Sequence, residues 1–183
     1  ENRSYNRGVY EYSDFLNIYE QDLLFKNVTT SFSLFGGYEN AERQIAVFGN
    51  EEDFGYSPSY PIVCILVSPL MQKFADDLTH RDFLGSVLGI GIKREKIGDI
   101  LISDNLTQIV TESDISDFIS MNYLKVGKIP IQTEITNINN IMETTKNVKI
   151  INATVMSMRL DAVLSSAFSV SRTNACKYIS AGS

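Results

Sequence analysis

A chain of 183 residues, 44% of them apolar, is long enough for one or two domains with real cores. Its longest apolar candidate, Tyr60 to Leu70, holds two prolines and falls short of the roughly 18 apolar residues of a membrane span. Net charge is −6, and two cysteines with one histidine are too few for a structural zinc site, so neither a metal nor a cofactor is expected.

In chain order, residues 11–26 (EYSDFLNIYEQDLLFK) place Phe15, Ile18, Tyr19 and Leu23 at helical spacing, with Ser13 as the N-cap. VTTSFSLF then predicts a strand ended by Gly36 and Gly37, with RQIAVFG as its neighbour. NEEDFGYSPSYP is a polar connection and a boundary. IVCILVS (62–68) is a continuous apolar run and predicts a buried strand. HRDFLGSVLGI predicts a helix with Phe83, Leu84, Val87 and Leu88 on one side, and Thr79 with Asp82 forms a capping-box pattern. Gly85 and Gly89 are expected to let this helix approach the sheet closely, and Gly91 to end it. KIGDILIS and LTQIVTE predict two strands joined through Ser103, Asp104 and Asn105. SDISDFISMNYL predicts a helix with Ile115, Phe118, Ile119 and Tyr123 inward, and KIPIQTEI a last strand.

The fold class expected is α+β. Residues 1–57 form an N-terminal α/β segment of helix and strands. Residues 58–138 read β-α-β-β-α-β, a ferredoxin-like alpha-beta plait. Residues 139–183 hold a linker, with VKIINATVM as one further strand, and two short amphipathic helices. Ser171 caps the second helix and Gly182 stops it. The N-terminus lacks the apolar stretch of a signal peptide, and Cys64 sits in an apolar run, so a reduced, cytoplasmic protein is expected.

The charge is unevenly spread. Residues 1–79 carry five bases and twelve acids, and residues 99–145 carry two and seven. Residues 80–98 carry four bases and two acids, and residues 146–183 carry five bases and one acid. Positive charge is confined to those last two segments.

The first basic segment, HRDFLGSVLGIGIKREKIGDI, contains the sole histidine. His-Arg-Asp matches part of a kinase catalytic loop, but the downstream Asn and the separate glycine-rich loop are missing. Gly85, Gly89 and Gly91 do not precede the helix and have neither nucleotide-binding spacing. Arg81 in the first helical turn, with Lys93, Arg94 and Lys96 in the following loop, fits a grip on phosphate. The plait also suggests an RNA-recognition sheet, but LTQIVTES and IVCILVS offer no aromatic ring for base stacking. In the second basic segment, Arg159 opens one helix, and Arg172 and Lys177 lie on the next with Thr173 and Asn174 near its start. The Arg159-Leu160-Asp161 triplet is shared with pseudouridine synthases, but the stretch that follows differs, and Asp161 is expected to serve as a first-turn acid.

RLDAVLSSAFSVSRTNACKYISAG resembles the first two helices of the S-four-type RNA-binding domain, named from the ribosomal small-subunit protein four. Arg159, Leu160, Asp161, Leu164, Ser171, Arg172, Ala175, Ile179 and Gly182 fit that frame. The family continues into a strand and small sheet, before which this chain stops, so a partial domain is expected. GGYENAER (36–43) and the first basic segment resemble the signatures of the YlmH-like bacterial proteins. That resemblance covers almost the whole chain. It implies a non-enzymatic RNA-binding protein of the translation apparatus that associates with ribosomal RNA, tRNA and stalled large ribosomal subunits. By motif, Arg159, Ser171, Arg172 and Lys177 would contact RNA. An RNA-modifying enzyme using His80 and Asp82, and a cell-division interaction module using the acidic surface, are the alternatives.

Overall fold

The N-terminal strand and helix come from a stretch whose spacing predicts one helix. In the computed structural model, which describes residues 4, 7–71, 78–103, 106–142 and 150–181, residues Glu11–Leu16 form a strand (β1) and the helix (α1) spans Ile18–Asn27. The break is at Asn17. Its side chain accepts the Glu20 N–H at 3.0 Å, and its own N–H donates to the Glu20 carboxylate at 2.8 Å. This reciprocal cap starts the helix at Asn17 rather than Ser13. Ser13 instead sits at a bulge, where the register between β1 and its partner shifts, and its hydroxyl accepts the Ala46 N–H at 2.8 Å. β2 (Phe32–Phe35) and β3 (Gln44–Phe48) complete a three-stranded antiparallel sheet in the order β1-β3-β2. The polar connection that follows contains one short helix, α2 (Glu51–Phe54).

The next elements are β4 (Ile62–Pro69), α3 (His80–Gly89), a 3₁₀ turn at Arg94–Lys96, β5 (Ile97–Ser103), β6 (Leu106–Glu112), α4 (Ser116–Asn122), β7 (Lys125–Val126) and β8 (Ile129–Thr136). They build a five-stranded antiparallel sheet in the order β5-β6-β4-β8-β7. The short hairpin strand β7 was not foreseen, and Asp104 and Asn105 of the expected turn lie outside the described residues.

The sheet is buried on both faces at β4, which is why its sequence is a continuous apolar run rather than an alternation. Ile65 and Val67 pack with Phe83 and Val87 of α3 and with Ile119 and Tyr123. Ile62 and Cys64 pack on the opposite side with Phe15, Ile45 and Val47 of the three-stranded sheet, and with Val110 and Ile138. Burial pushes the Cys64 thiol up to about 11, which keeps it an inert apolar group. The start of the expected linker, residues 139–142, is fixed here: Thr136 ends β8, Ile138 is buried, and the Asn140 N–H donates to the Asn137 carbonyl at 2.9 Å. Gln108 then holds the Met142 backbone from both sides, Nε2 donating at 2.8 Å and Oε1 accepting at 2.8 Å. Gly37, at φ +97°, makes room for Ile138, whose Cδ1 would lie 2.5 Å from any Cβ there.

Helix α3 starts as expected. The Thr79 N–H and hydroxyl both donate to the Asp82 carboxylate, at 2.9 and 2.6 Å, and these bonds hold that carboxylate below its usual range. Gly91, at φ +93°, ends it. The two internal glycines do not do what was expected. A Cβ on Gly85 or Gly89 would meet nothing within 4 Å, so these positions face open space while Phe83 and Val87 face the sheet. Gly85→Ala should therefore stabilise the protein by about 0.8–1 kcal/mol, since only the helix propensity changes; urea unfolding checks this, and a loss of stability would contradict it. Phe118, expected inward, is 48% exposed: Ile119 of α4 and Tyr123 just after it are the ones turned fully into the core.

The chain divides into two compact units, Glu1–Thr144 and Thr145–Ser183. In the second, α5 (Leu160–Ala167) and α6 (Arg172–Ala181) form as expected. Residues 150–155 hold no strand, against the strand expected over 148–156; residues 148–149 and Gly182 lie outside the described residues. The turn between the helices places Ser169 at φ 53°. It is closed by the Ser165 hydroxyl donating to the Val170 carbonyl at 2.6 Å and by the Val170 N–H donating to the Ser165 carbonyl at 3.1 Å.

Candidate nucleic-acid interface

The second unit brings two arginines onto one carboxylate. Arg159 sits at the N-cap position of α5, Asp161 lies in its first turn, and Arg172 opens α6, so the helical hairpin converges all three. Arg159 Nε donates to Asp161 Oδ1 at 3.0 Å, and Arg172 donates to Oδ2 through Nε at 3.1 Å and Nη2 at 2.6 Å. The Asp161 side chain is only 10% exposed, whereas those of Arg159 and Arg172 are 70% and 59% exposed. One buried anion thus fastens two guanidinium groups and leaves much of each in solvent. Two cations against one anion keep the cluster positive, and a tethered guanidinium loses less rotamer freedom on meeting a phosphate. Hydrogen bonds from Arg172 first, then Arg159, hold the Asp161 carboxyl down at about 2. Its contribution to stability is complete above its ordinary value near 3.8 and is lost as pH falls through about 2. The helical pair should therefore keep its structure down to about pH 4 and lose this contribution below it, as an acid titration followed by amide NMR would show.

Around this pair, Ser171 caps α6, its hydroxyl accepting the Asn174 N–H at 3.3 Å. Thr173, Asn174 and Lys177 are exposed, while Ala175 is buried and anchors the helix. An open cavity of about 420 Å³ is lined by Arg159, Leu160, Asp161, Cys176, Ile179 and Ser180.

The first unit treats its basic segment differently. The four bases do not form one exposed loop. Arg81 and Lys93 are exposed, and Lys93 is only loosely paired with Glu95, at 3.8 Å. Arg94 is half-buried and donates to the Ile97 carbonyl at 2.6 Å and the Gly98 carbonyl at 3.3 Å. Lys96 is held between Asp14, at 2.8 Å, and Glu112, at 2.6 Å, and these bonds raise its ammonium above the usual lysine range. Arg43 joins the same neighbourhood, donating to the Ile97 carbonyl at 2.9 Å and the Phe15 carbonyl at 2.7 Å. Asp99 accepts the Tyr38 hydroxyl at 2.7 Å and the N–H groups of Glu42 and Arg43 at 2.7 and 3.0 Å. The GGYENAER and REKIGDI segments, distant in sequence, therefore meet across the two sheets.

Residues 62–140 match the family described as "Putative RNA-binding domain in YlmH". The chain is 33% identical over 159 residues to the "Ribosome-associated protein quality control protein P2" of Bacillus subtilis (strain 168). The chain is similar to the YlmH proteins. That alignment takes in 84% of the present chain and 60% of the Bacillus protein, so the chain spans under two thirds of that relative's length. The solved structure described as "Cell division protein ylmH from Streptococcus pneumoniae" is similar in fold, with a TM-score of 0.60 at 21% identity over 78% of this chain and 87% of that one.

In this chain the family match takes in the five-stranded sheet, α3 and α4, and stops before the Arg159–Asp161–Arg172 cluster. Among the described residues no group of three or more His, Cys, Asp or Glu is placed to hold a metal ion. His80 is exposed, and Asp82, its partner in the enzymatic alternative, is spent on the cap of α3. Sequence reasoning assigned Asp161 to the helix terminus alone and missed its hold on both arginines. The available signal was an acid two residues after one arginine, with a second arginine opening the next helix.

Proposed function

We propose that this chain is a non-enzymatic RNA-binding protein of the translation apparatus, acting in the cytoplasm on ribosomal RNA or tRNA of stalled large ribosomal subunits. The observation that carries the reading is the arginine pair fastened by Asp161 on α5 and α6, the two helices that resemble an S-four-type frame. Arg159, Ser171, Arg172, Thr173, Asn174 and Lys177 form the RNA contact of the second unit, and Arg81 and Lys93 supply exposed charge in the first. Arg94 and Lys96 act in this reading by holding the loop that presents Lys93. The name of the Bacillus relative, a ribosome-associated protein quality control protein, supports the assignment. So does the RNA-binding description of the matched family.

Residues 58–138 are read as a ferredoxin-like plait. The spatial order of β5, β6, β4 and β8, with both helices on one face, supports this. The test is the affinity of the chain for purified large-subunit ribosomal RNA between 50 and 200 mM salt. Each phosphate neutralised should add roughly 0.7–0.9 to the slope of log affinity against log salt. Lys177→Ala should lower that slope by about one and weaken binding to unrelated RNA sequences equally. Affinity that does not change with salt would end the reading.

A further inference from the structure

If residues 62–140 bind RNA, their sheet is a poor place to do it. One face is covered by α3 and α4, and much of the other by the three-stranded sheet, with Ile138 and Ile141 packed there too. We infer that the first unit holds RNA on its helical face, in the groove between the C-terminal half of α3 and the β7–β8 hairpin, with Lys125 and Lys128 as its phosphate contacts. This rests on the RNA-binding reading above and names a surface within it.

The groove encloses about 430 Å³ and is lined by Ser86, Gly89, Ile90, Asn122, Leu124 and Lys125, with Gly127 at its edge. No acid lines it. Val126 is buried in the core beneath and the Gly127 N–H donates to the Ser86 hydroxyl at 3.2 Å, so the hairpin is pinned against α3. Lys125 and Lys128 flank those two anchors, are exposed, and form no ion pair with a described residue. Lys96, by contrast, is fully engaged.

The charge of the unit is polarised to match. Residues 11–57, which build the covering sheet and its connections, carry nine acids and two bases. Of those two, Lys26 pairs with Asp22 and Arg43 is bonded to backbone carbonyls. The helical side, residues 80–93 and 113–130, carries four bases and three acids. Arg81, Lys93, Lys125 and Lys128 are its exposed cations. A polyanion is repelled by the first face and drawn to the second.

The glycines of α3 give the surface its shape. Gly85 and Gly89 lie one turn apart with open space above them, so a sugar–phosphate strand can approach the helix backbone without displacing a side chain. The Ser86 hydroxyl accepts from Gly127 and keeps its own proton to donate, and the exposed Leu124 supplies an apolar floor.

The experiment uses the full chain with purified large-subunit ribosomal RNA. Lys125→Ala with Lys128→Ala should lower affinity roughly tenfold and reduce the salt slope by about one per lysine. Gly89→Gln, whose Cβ meets nothing within 4 Å, should leave thermal unfolding unchanged or raised and yet weaken RNA binding. A photocrosslinking group attached at position 128 should join to RNA on ribosomal subunits. Unchanged affinity in both variants while Arg172→Ala abolishes binding overturns the groove and leaves the proposed function standing. Crosslinks to protein alone, marking the groove as a seat for an acidic polypeptide, also overturn it. An unaltered chain that binds no RNA removes the functional reading, and the groove with it.

Discussion

Asp99→Ala should destabilise the first unit by about 3 kcal/mol, because a buried hydrogen-bonded charge is removed from its donors. Asp99 is 8% exposed and accepts the Tyr38 hydroxyl and two successive backbone N–H groups. In the variant, the backbone N–H groups of Glu42 and Arg43 lose this carboxylate acceptor at the point where the 36–43 loop meets β5. The neighbouring glycine leaves no slack: a Cβ on Gly98 would lie 2.7 Å from Cε1 of the buried Phe15. Urea unfolding with an unchanged dependence on denaturant is the expected signature. Asp99→Asn keeps one acceptor oxygen and should cost less. A loss under about 1 kcal/mol for alanine would mean that water replaces the carboxylate there.

Asp161→Asn should weaken RNA binding although it removes a negative charge. Long-range attraction alone predicts tighter binding. The geometry predicts the reverse, because the carboxylate holds Arg159 and Arg172 in place. A charge-assisted contact contributes about 1.5–3 kcal/mol, so unfastening one guanidinium should cost roughly tenfold in affinity. Arg172→Ala should cost at least as much, and Arg172→Lys should not restore it, since an ammonium cannot present the Nε and Nη2 fork. Fluorescence anisotropy at fixed salt, with circular dichroism to confirm that α5 and α6 persist, reads the effect. Tighter binding by Asp161→Asn would show that net charge, not orientation, governs the contact.

The strands of the larger sheet were legible because burial on both faces leaves a continuous apolar run, as in IVCILV, and helix α3 because Thr79 and Asp82 announce its start. β1 was hidden. Phe15, Ile18, Tyr19 and Leu23 fall at helical spacing by coincidence, and β1 is held by pairing with β3, whose partners lie 28 to 37 residues further along the chain. The Asn17–Glu20 cap was the local sign of the break and outweighed Ser13. The exposed glycines of α3 carry no local signal of which way they face. The basic cluster was legible as charge and not as geometry. Lys96 reads like Lys93 in sequence, but its partners Asp14 and Glu112 come from other strands. Lys125 and Lys128 were passed over because they lie in an acidic stretch, where counting along the chain hides a local excess.

The covering of the large sheet by residues 11–48 has a consequence for dissection. The family match spans 62–140, but Ile62, Cys64 and Val110 owe their shelter to Phe15, Ile45 and Val47, which precede that span. Excised at those limits, the fragment would present a greasy slab to water and self-associate. The smallest autonomous piece must begin ahead of β1.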